Sequence, residues 1–558
     1  MINFVSTFPP MICGIGAYTK YLVSKMPKES WSVTSFELDE FLRTSQSVQF
    51  NDRVAYELSL SDPCLPASLD AELLWFQHAF GMWGRESPAF LHLVEEAKTR
   101  KKKVIASFHT VHFESDETDS GMRRQEEDLL KDALPLLDAM TVFSNGAYWA
   151  VSRAFPQYED KVVVLRHGVH LYPPVSQRQA KESLLGYLIN QADMSSDKKQ
   201  ELKQMYHHFF SKETILLGNF GFVSNNKDPL KLYELGQLVR YRLAKHRVVV
   251  LYIGRIQKRK DKKIEENLPL LEELRAVHDG TVNLFVEDYL PEEIYPLGFG
   301  VLDFSVFWGS NVTQSGRMAH AQGTGTCVAG RRIEGIGETL DLAGLPSVVS
   351  LEDLAEKITR LVLEPRLKEE AKRSSWHYAQ EFSFERQAQK HLLLAEAVMS
   401  GTRLPVLDRT RPVITFILDR LALAKSDGLE EIPEEITAFL NVADDVDLYP
   451  LPRIYYKIPL TDEIPIPVER MLEAIAWIQE NIVSGKVLVF CKYGRGRSAS
   501  VIIGYLCSIG LGYEDALRLV RSKKPDIHPL PELAETIRKA LKKKDADRSW
   551  FHLLESSR

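Results

Sequence analysis

Lys486-Val487-Leu488-Val489-Phe490-Cys491-Lys492-Tyr493-Gly494-Arg495-Gly496-Arg497-Ser498 runs from an unbroken apolar stretch straight into a basic, glycine-punctuated turn. The apolar run reads as a buried strand. Ser498-Ala499-Ser500-Val501-Ile502-Ile503 reads as the start of an apolar helix, so the turn joins strand to helix. A loop of that kind points backbone N–H groups at one spot before the helix N-terminus, where a tetrahedral anion can sit. Cys491 and Arg497 stand six positions apart across it. The loop donors and the helix dipole favour thiolate over thiol, which makes Cys491 a candidate nucleophile. The planar guanidinium of Arg497 can grip two phosphoryl oxygens, and Ser498 can hydrogen-bond the sulfur and help it leave. Lys492, Tyr493, Gly494, Arg495 and Gly496 form the candidate phosphate cradle. A leaving group needs a proton, and Asp462, 29 positions upstream of Cys491 in a Pro-rich loop, is the candidate acid, with Glu463 as its rival and a helix cap as the alternative role.

Outward from this loop the chain of 558 residues is long enough for about three to four domains of roughly 150 residues each. Its first third alternates apolar runs (INFVSTF, ELLWFQHAF, KKVIASFHTV, AMTVFSN, KVVVLRHGV) with helix-length segments, the pattern of βαβ units around a parallel sheet. A polar helical stretch from Gln177 to Lys212 follows, and the pattern restarts with TILLGNFGF, VVVLYIG, NLFVED, LDFSVFW and GTCVAG. Residues 351–400 read as helices, and Gly401 to Pro412 has the Gly/Pro punctuation of a linker. The expected fold class is α/β: two Rossmann-like domains over 1–200 and 201–400, a linker over 401–411, a smaller α/β domain over 412–546 and a charged tail over 547–558.

Composition narrows the function classes. Hydrophobic residues make up 44% and charged residues 26%, an ordinary globular balance. Lys and Arg number 70 against 76 Asp and Glu, so no long-range field holds nucleic acid, and an anionic ligand must be bound locally. Five Cys, at 13, 64, 327, 491 and 507, form neither a disulfide framework nor a CxxC pair, and a reducing compartment is expected. With no basic leader before a long apolar segment and no run of 18 apolar residues, the expected location is cytoplasmic, with peripheral membrane contact left open. No metal and no cofactor are expected.

In the amino-terminal half, Cys13-Gly14-Ile15-Gly16 joins a first strand to a helix and leaves small residues where backbone can approach a diphosphate. It lacks the third glycine of the dinucleotide fingerprint, and the chain has no Gly-Lys-Ser/Thr loop. The landmarks Gln77-His78, His109 with His112, Ser144-Asn145 and Arg166-His167-Gly168 each follow an apolar run, which puts them at the carboxyl edge of a parallel sheet, where ligands bind.

Two resemblances follow. Residues 411–545 resemble the dual-specificity phosphatases of the cysteine-dependent protein tyrosine phosphatase superfamily, whose His-Cys-x-x-Gly-x-x-Arg-Ser/Thr pattern is matched at Cys491, Gly494, Arg497 and Ser498. Phe490 stands where that family has His, so the loop dipoles and cations are expected to sustain the thiolate. The basic interior, Lys492 and Arg495, resembles loops of phosphatases that act on phosphoinositides and other phospholipids. Residues 1–400, through FPPMICGIGAYT, QHAFG, SFHTVH, RHGV and LLGNFGFVSNNKDP, resemble the retaining group 1 glycosyltransferases of two-Rossmann (GT-B) fold that use nucleotide sugars.

That second resemblance implies a nucleotide-sugar donor near Gly14, Gly16, Lys227, Ser315 and Gly316, with His109 beside the transferred sugar. It also exposes departures. The family's Glu-x7-Glu element corresponds to Asn311–Gly323, which holds no carboxylate, and Lys227 lacks the family's preceding Arg. The expected function is a bifunctional enzyme that glycosylates a phosphorylated small-molecule or lipid acceptor and hydrolyses a phosphate ester on a sugar, inositol, lipid or protein. The alternative is a phosphatase whose first 400 residues serve as a glycan- or protein-binding module.

Overall fold

The computed structural model describes residues 1–39, 51–84, 87–192, 194–256, 263–409, 414–426, 429, 436–448, 452, 454–524 and 527–543. The chain forms two compact units, Met1–Arg409 and Thr410–Arg558.

The first unit contains two parallel sheets. β1 (Ile2–Val5), β2 (Trp31–Phe36), β3 (Val54–Leu58), β4 (Leu73–His78), β5 (Lys103–Phe108), β6 (Ala139–Val142) and β7 (Val162–Val164) line up in the order β3-β2-β1-β4-β5-β6-β7. β8 (Thr214–Phe220), β9 (Arg247–Ile253), β10 (Asn283–Val286), β11 (Phe304–Phe307), β12 (Cys327–Arg331) and β13 (Ser347–Val348) follow in the order β10-β9-β8-β11-β12-β13. Both orders reverse direction beside a central strand, the switch point at which doubly wound sheets open a crevice. Helices cover both faces, so the strands are apolar without alternation; every residue of β8 is buried.

The sequence pattern divides this unit at residue 200, and packing places the crossover elsewhere. The helices Gln177–Asn190 and Ser196–Phe210 bury Leu184, Leu188, Leu202, Met205 and Phe209 in the core of the second sheet. The helix Phe384–Ser400 returns to the first sheet and packs Phe384, Ala388, Leu394 and Val398 against Phe4 and Trp75. The two crossing strands of chain meet where Val169 N–H donates to the Phe382 carbonyl at 2.8 Å and Phe384 N–H donates to Val169 O at 3.0 Å. Part of the stretch with linker composition is also anchored. Asp408, 4% exposed, accepts from Arg166 N–H and Gln387 Nε2, each at 2.8 Å, and pairs with Lys390.

The second unit holds β14 (Ile414–Leu418), β15 (Leu421–Lys425), β16 (Ile436–Ala443), β17 (Ile454–Leu460) and β18 (Lys486–Cys491) in the order β14-β15-β18-β16-β17. β14 and β15 form an antiparallel hairpin, and the remaining neighbours are parallel. The two-residue period of β18 sends Val487, Val489 and Cys491 into the main core with the helix Arg497–Ser508, and Leu488 and Phe490 into a small apolar cluster with Ala422, Ala424 and Phe439.

Asp408→Ala leaves one backbone N–H, one amide and one ammonium without their acceptor. It is expected to lower the unfolding free energy of the first unit by about 3 kcal/mol, measured by urea titration of the full chain; an unchanged midpoint would show that 401–409 is not anchored as described.

Candidate active site

β18 delivers Cys491 at its carboxyl end, and the helix Arg497–Ser508 starts directly after Gly496. Between them Gly494 has φ +64°, and a Cβ there would lie 2.8 Å from the Ala424 carbonyl and Lys425 N, so the loop's turn requires glycine. Neighbours brace the loop. Ser426 N–H donates to Cys491 O at 3.0 Å, Ser426 Oγ to Lys492 O at 3.3 Å, and His528 N–H to Arg495 O at 3.1 Å. The Cys491 sulfur lies 3.3 Å from Ser498 Oγ, both buried. Lys492 and Tyr493 sit on the outer rim, Lys492 Nζ 5.5 Å from the centre of the Tyr493 ring.

Arg497 is 2% exposed. Its Nη1 donates to Asp445 at 2.7 Å, Asp444 at 2.9 Å and Leu460 O at 3.2 Å, and its Nη2 lies 3.7 Å from Asp462 Oδ2. Among the described residues, Nε is buried without a partner. The guanidinium is thus tethered at one corner, and its Nε/Nη2 edge, the edge that grips an oxyanion in bidentate fashion, is not hydrogen-bonded. Burial alone would raise the Asp445 carboxyl, but hydrogen bonds from Arg497 and Lys492 outweigh it and hold the group below its ordinary range. The same cluster keeps Arg497 charged: burial disfavours the cation, and Asp445, Cys491 and Asp462 more than compensate. Asp462 faces the loop from the turn after β17; a Cβ on Gly496 would come 3.0 Å from its Oδ1. Glu463 next to it takes a left-handed φ of 60°.

Asp444 and Asp445 were not among the sequence candidates. Their signal is two acids directly after β16, beside the strand that carries Cys491. Phe490 points away from the loop into its apolar cluster, so a His there would have to find a partner that those side chains do not offer.

The first unit gathers its candidates at the carboxyl edges of the two sheets. His109, 4% exposed, has both ring nitrogens engaged, Nε2 with Gln77 Oε1 at 2.7 Å and Nδ1 with Gln314 Nε2 at 3.2 Å, and burial holds it well below 6.5. Tyr18, from the helix that Gly14 opens, stacks its edge on His109 and tilts against His167. Gly16 lets that helix approach the Thr7 carbonyl, from which a Cβ would be 3.1 Å. Ser315 caps the helix Gly316–Gly323, and Gly316 lies against His167. Lys227, on the turn Asn225–Lys227, donates to Phe222 O at 3.2 Å; the neighbouring Asn226 O accepts from Ser310 N–H at 3.0 Å.

Carboxylates do reach this cleft, from a segment beyond 311–323. Glu334 accepts from Phe113 N–H at 3.0 Å and Glu114 N–H at 3.1 Å. Glu338 accepts from Asn145 N–H at 2.7 Å and Gly146 N–H at 2.9 Å, at the N-terminus of the helix Asn145–Ala154, and from Arg166 Nη2 at 2.5 Å. His112, hydrogen-bonded to Glu126 at 2.5 Å, reaches Asn311 Oδ1 at 2.7 Å. The two sheets of this unit are latched together across the cleft.

Residues 427–543 match the family model "Dual specificity phosphatase, catalytic domain". The chain is 30% identical over 148 residues to dual specificity protein phosphatase 2 of Mus musculus, a match covering 24% of this chain and 44% of that protein. It is 31% identical over 129 residues to dual specificity protein phosphatase 19 of Mus musculus, covering 21% and 57%. The chain thus spans about half the length of these curated relatives. An α,α-trehalose-phosphate synthase (UDP-forming) from Burkholderia vietnamiensis superposes with a TM-score of 0.51 at 10% identity, covering 72% of this chain and 98% of the synthase. At that identity the match establishes the fold, and the first unit has the two-Rossmann GT-B arrangement.

Burial, then the charge of Glu114, pushes the Glu334 carboxyl up to about 8 from an ordinary 4.5. The folded state then keeps a proton that the unfolded state releases, so this group's contribution is full below about pH 4.5 and is lost as pH rises towards 8, with a slope of up to about 1.4 kcal/mol per pH unit. Glu334→Gln cannot ionise, so its stability relative to the parent is expected to increase from pH 5 to pH 8 in urea titrations. A difference that stays constant over that range would overturn the assignment.

Proposed function

We propose that the second unit is a cysteine-dependent phosphomonoesterase and that the chain is bifunctional, its first unit transferring a sugar from a nucleotide donor. The observation that carries the phosphatase reading is the tethered, buried Arg497 with an unpartnered Nε beside Cys491, Ser498 and Asp462.

In the proposed reaction the Cys491 thiolate attacks phosphorus while the loop N–H groups and the Nε/Nη2 edge of Arg497 hold the equatorial oxygens. The P–O bond to the substrate breaks, and the leaving oxygen takes the proton of Asp462. Water then attacks the cysteinyl-phosphate, gives its proton back to Asp462 and releases inorganic phosphate, while Ser498 Oγ stabilises the departing sulfur. Asp444 and Asp445 orient Arg497. The cations Lys492 and Arg495 suit a substrate with more than one negative charge, such as a phosphorylated sugar, inositol or lipid headgroup. A thiolate nucleophile operates in a reducing compartment, and we place the enzyme in the cytoplasm, free or in peripheral contact with a membrane.

The similarly folded synthase is described as UDP-forming, so UDP-sugars are the first donors to test, with a phosphorylated acceptor. Gly14, Gly16, Lys227, Ser315 and Gly316 are the proposed donor contacts and His109 the group beside the sugar. A second reading rests on the latch. Both nitrogens of His109 are engaged by the protein, and Glu334 and Glu338 fill backbone N–H sites in the cleft. On that reading the first unit binds a glycan or protein partner without transfer. Calorimetric titration with uridine and guanosine sugar nucleotides separates the two: a micromolar donor site supports transfer, and silence supports the binding module.

Cys491→Ser is expected to abolish phosphate-ester turnover while tungstate still binds, and Arg497→Lys to lose at least about 100-fold, because a point charge cannot replace the fork. Asp462→Ala should slow alkyl phosphates by roughly 10²–10⁴-fold and aryl phosphates far less, since only poor leaving groups need the proton. Equal slowing of both classes would remove Asp462 from the acid role, and near-normal activity of Cys491→Ser would remove the cysteinyl-phosphate.

A further inference from the structure

The second sheet has a concave site at its opposite edge, where β8 and β11 begin. A cleft of about 570 Å³ opens there between the first turn of the helix Gln177–Asn190 and the end of the helix Ser196–Phe210 with Ser211 and Lys212. No candidate of the glycosyltransferase or phosphatase readings lines it. We propose that this cleft is a binding site for the phosphate monoester of a small metabolite.

The charges in the cleft do not cancel. Asp303 is committed, one oxygen to Leu216 N–H at 2.8 Å and the other to Lys368 at 2.6 Å, and Glu182 pairs with Arg178 at 3.1 Å. Lys181, 6% exposed, makes no hydrogen bond and no ion pair within 4 Å among the described residues. Burial pushes its ammonium down, Asp303 works against that shift, and Lys368 adds to it. The Thr214 hydroxyl is also buried without a partner. An ammonium without an ion pair on the cavity wall and a buried hydroxyl without a partner on a neighbouring lining residue both favour an acceptor in this cavity.

The surrounding groups fit a tetrahedral dianion. Gln177 and Arg178 are the first two residues of a 14-residue helix, so the positive end of its dipole lies at the cavity. Lys212 and His207 line the same cavity from its exposed side and add a third ammonium, beside Lys181 and Lys368, and an imidazole. Donors from three segments lining one cavity suit the several oxygens of a phosphate better than the two of a carboxylate. The cavity exceeds what inorganic phosphate fills and leaves space for a sugar- or nucleoside-sized group.

The test is calorimetric titration of the full chain with inorganic phosphate, and of the Cys491→Ser chain with a hexose 6-phosphate and with a nucleoside monophosphate. Two phosphate sites per chain are expected, one at the catalytic loop and one here. Lys181→Met, whose side chain fills the same buried volume, is expected to remove one site and to leave kcat and KM of the phosphatase unchanged. Its melting temperature in phosphate-free buffer should hold, and the phosphate-dependent increment should shrink. Lys212→Ala, on the exposed side and harmless to folding, is expected to weaken this site at least fivefold. Tighter binding of one organic phosphate than of inorganic phosphate identifies the metabolite class, and equal binding assigns the site to free phosphate. A single site in the parent chain, or a phosphate isotherm unchanged in both lysine variants, overturns the proposal.

Discussion

A guanidinium removed from water must be surrounded by negative charge or oxygen atoms, and the arrangement of the second unit follows from meeting that need at Arg497. The cation is 2% exposed at the start of an apolar helix. Leaving it unpaired there would be far more expensive than any single apolar contact nearby could offset. Asp444 and Asp445 at the end of β16, the carbonyl of Leu460 at the end of β17 and Asp462 in the following turn all converge on it. Three strand ends, those of β16, β17 and β18, are therefore fixed around one side chain. The pairing stops short of saturation: the tether takes Nη1 and leaves Nε without a partner. A fully satisfied arginine would be structural, and an untethered one would lose its orientation.

The first unit uses the same physics to hold two sheets together. Arg166, 1% exposed, lies at the end of β7, and its partner Glu338 comes from the second sheet's side of the cleft. Glu338 also takes two N–H groups at a helix N-terminus, a position whose unsatisfied donors and dipole attract anions. Glu334 takes two more N–H groups one helical turn earlier. These carboxylates occupy donors of the kind that a phosphorylated ligand would otherwise use. In this arrangement those N–H groups are already satisfied by the protein's own side chains.

The legibility of these features depended on sequence distance. The candidate loop was readable because strand, glycines, Cys491, Arg497 and helix are contiguous, and local geometry follows from local sequence. The sheets were readable because strands buried on both faces have to be continuous apolar runs. Glu334 and Glu338 were not, because their partners Phe113, Asn145 and Arg166 lie more than 170 positions away, and nothing in Glu334-Gly335-Ile336-Gly337-Glu338 itself names them. Asp444 and Asp445 depend in the same way on an arginine 52 and 53 positions later. The boundary at 200 leaves the helix Gln177–Asn190 with the first domain because its order follows the first sheet, whereas its Leu184 and Leu188 pack on the second. Phe490 was read through its neighbour Cys491, but alternation along a strand sends the two side chains to opposite faces.

The chain carries a net negative charge, 70 basic against 76 acidic residues, and yet both sites proposed for it recognise anions. A surface field cannot supply that recognition, because at this charge the long-range interaction with a phosphate is weakly repulsive and is screened within about 10 Å. What remains is local desolvation: a buried cation whose partners stop one donor short, a helix N-terminus, and backbone N–H groups turned to a point. Buried charges of this kind are screened by salt less than exposed ones are. Such sites distinguish ligands by shape, since a buried donor left unmatched costs more than a matched one contributes. Arg497 with its unpartnered Nε, and Lys181 in the cavity that Thr214 also lines, are the two places in this acidic chain where the proposed ligands would supply the missing oxygen.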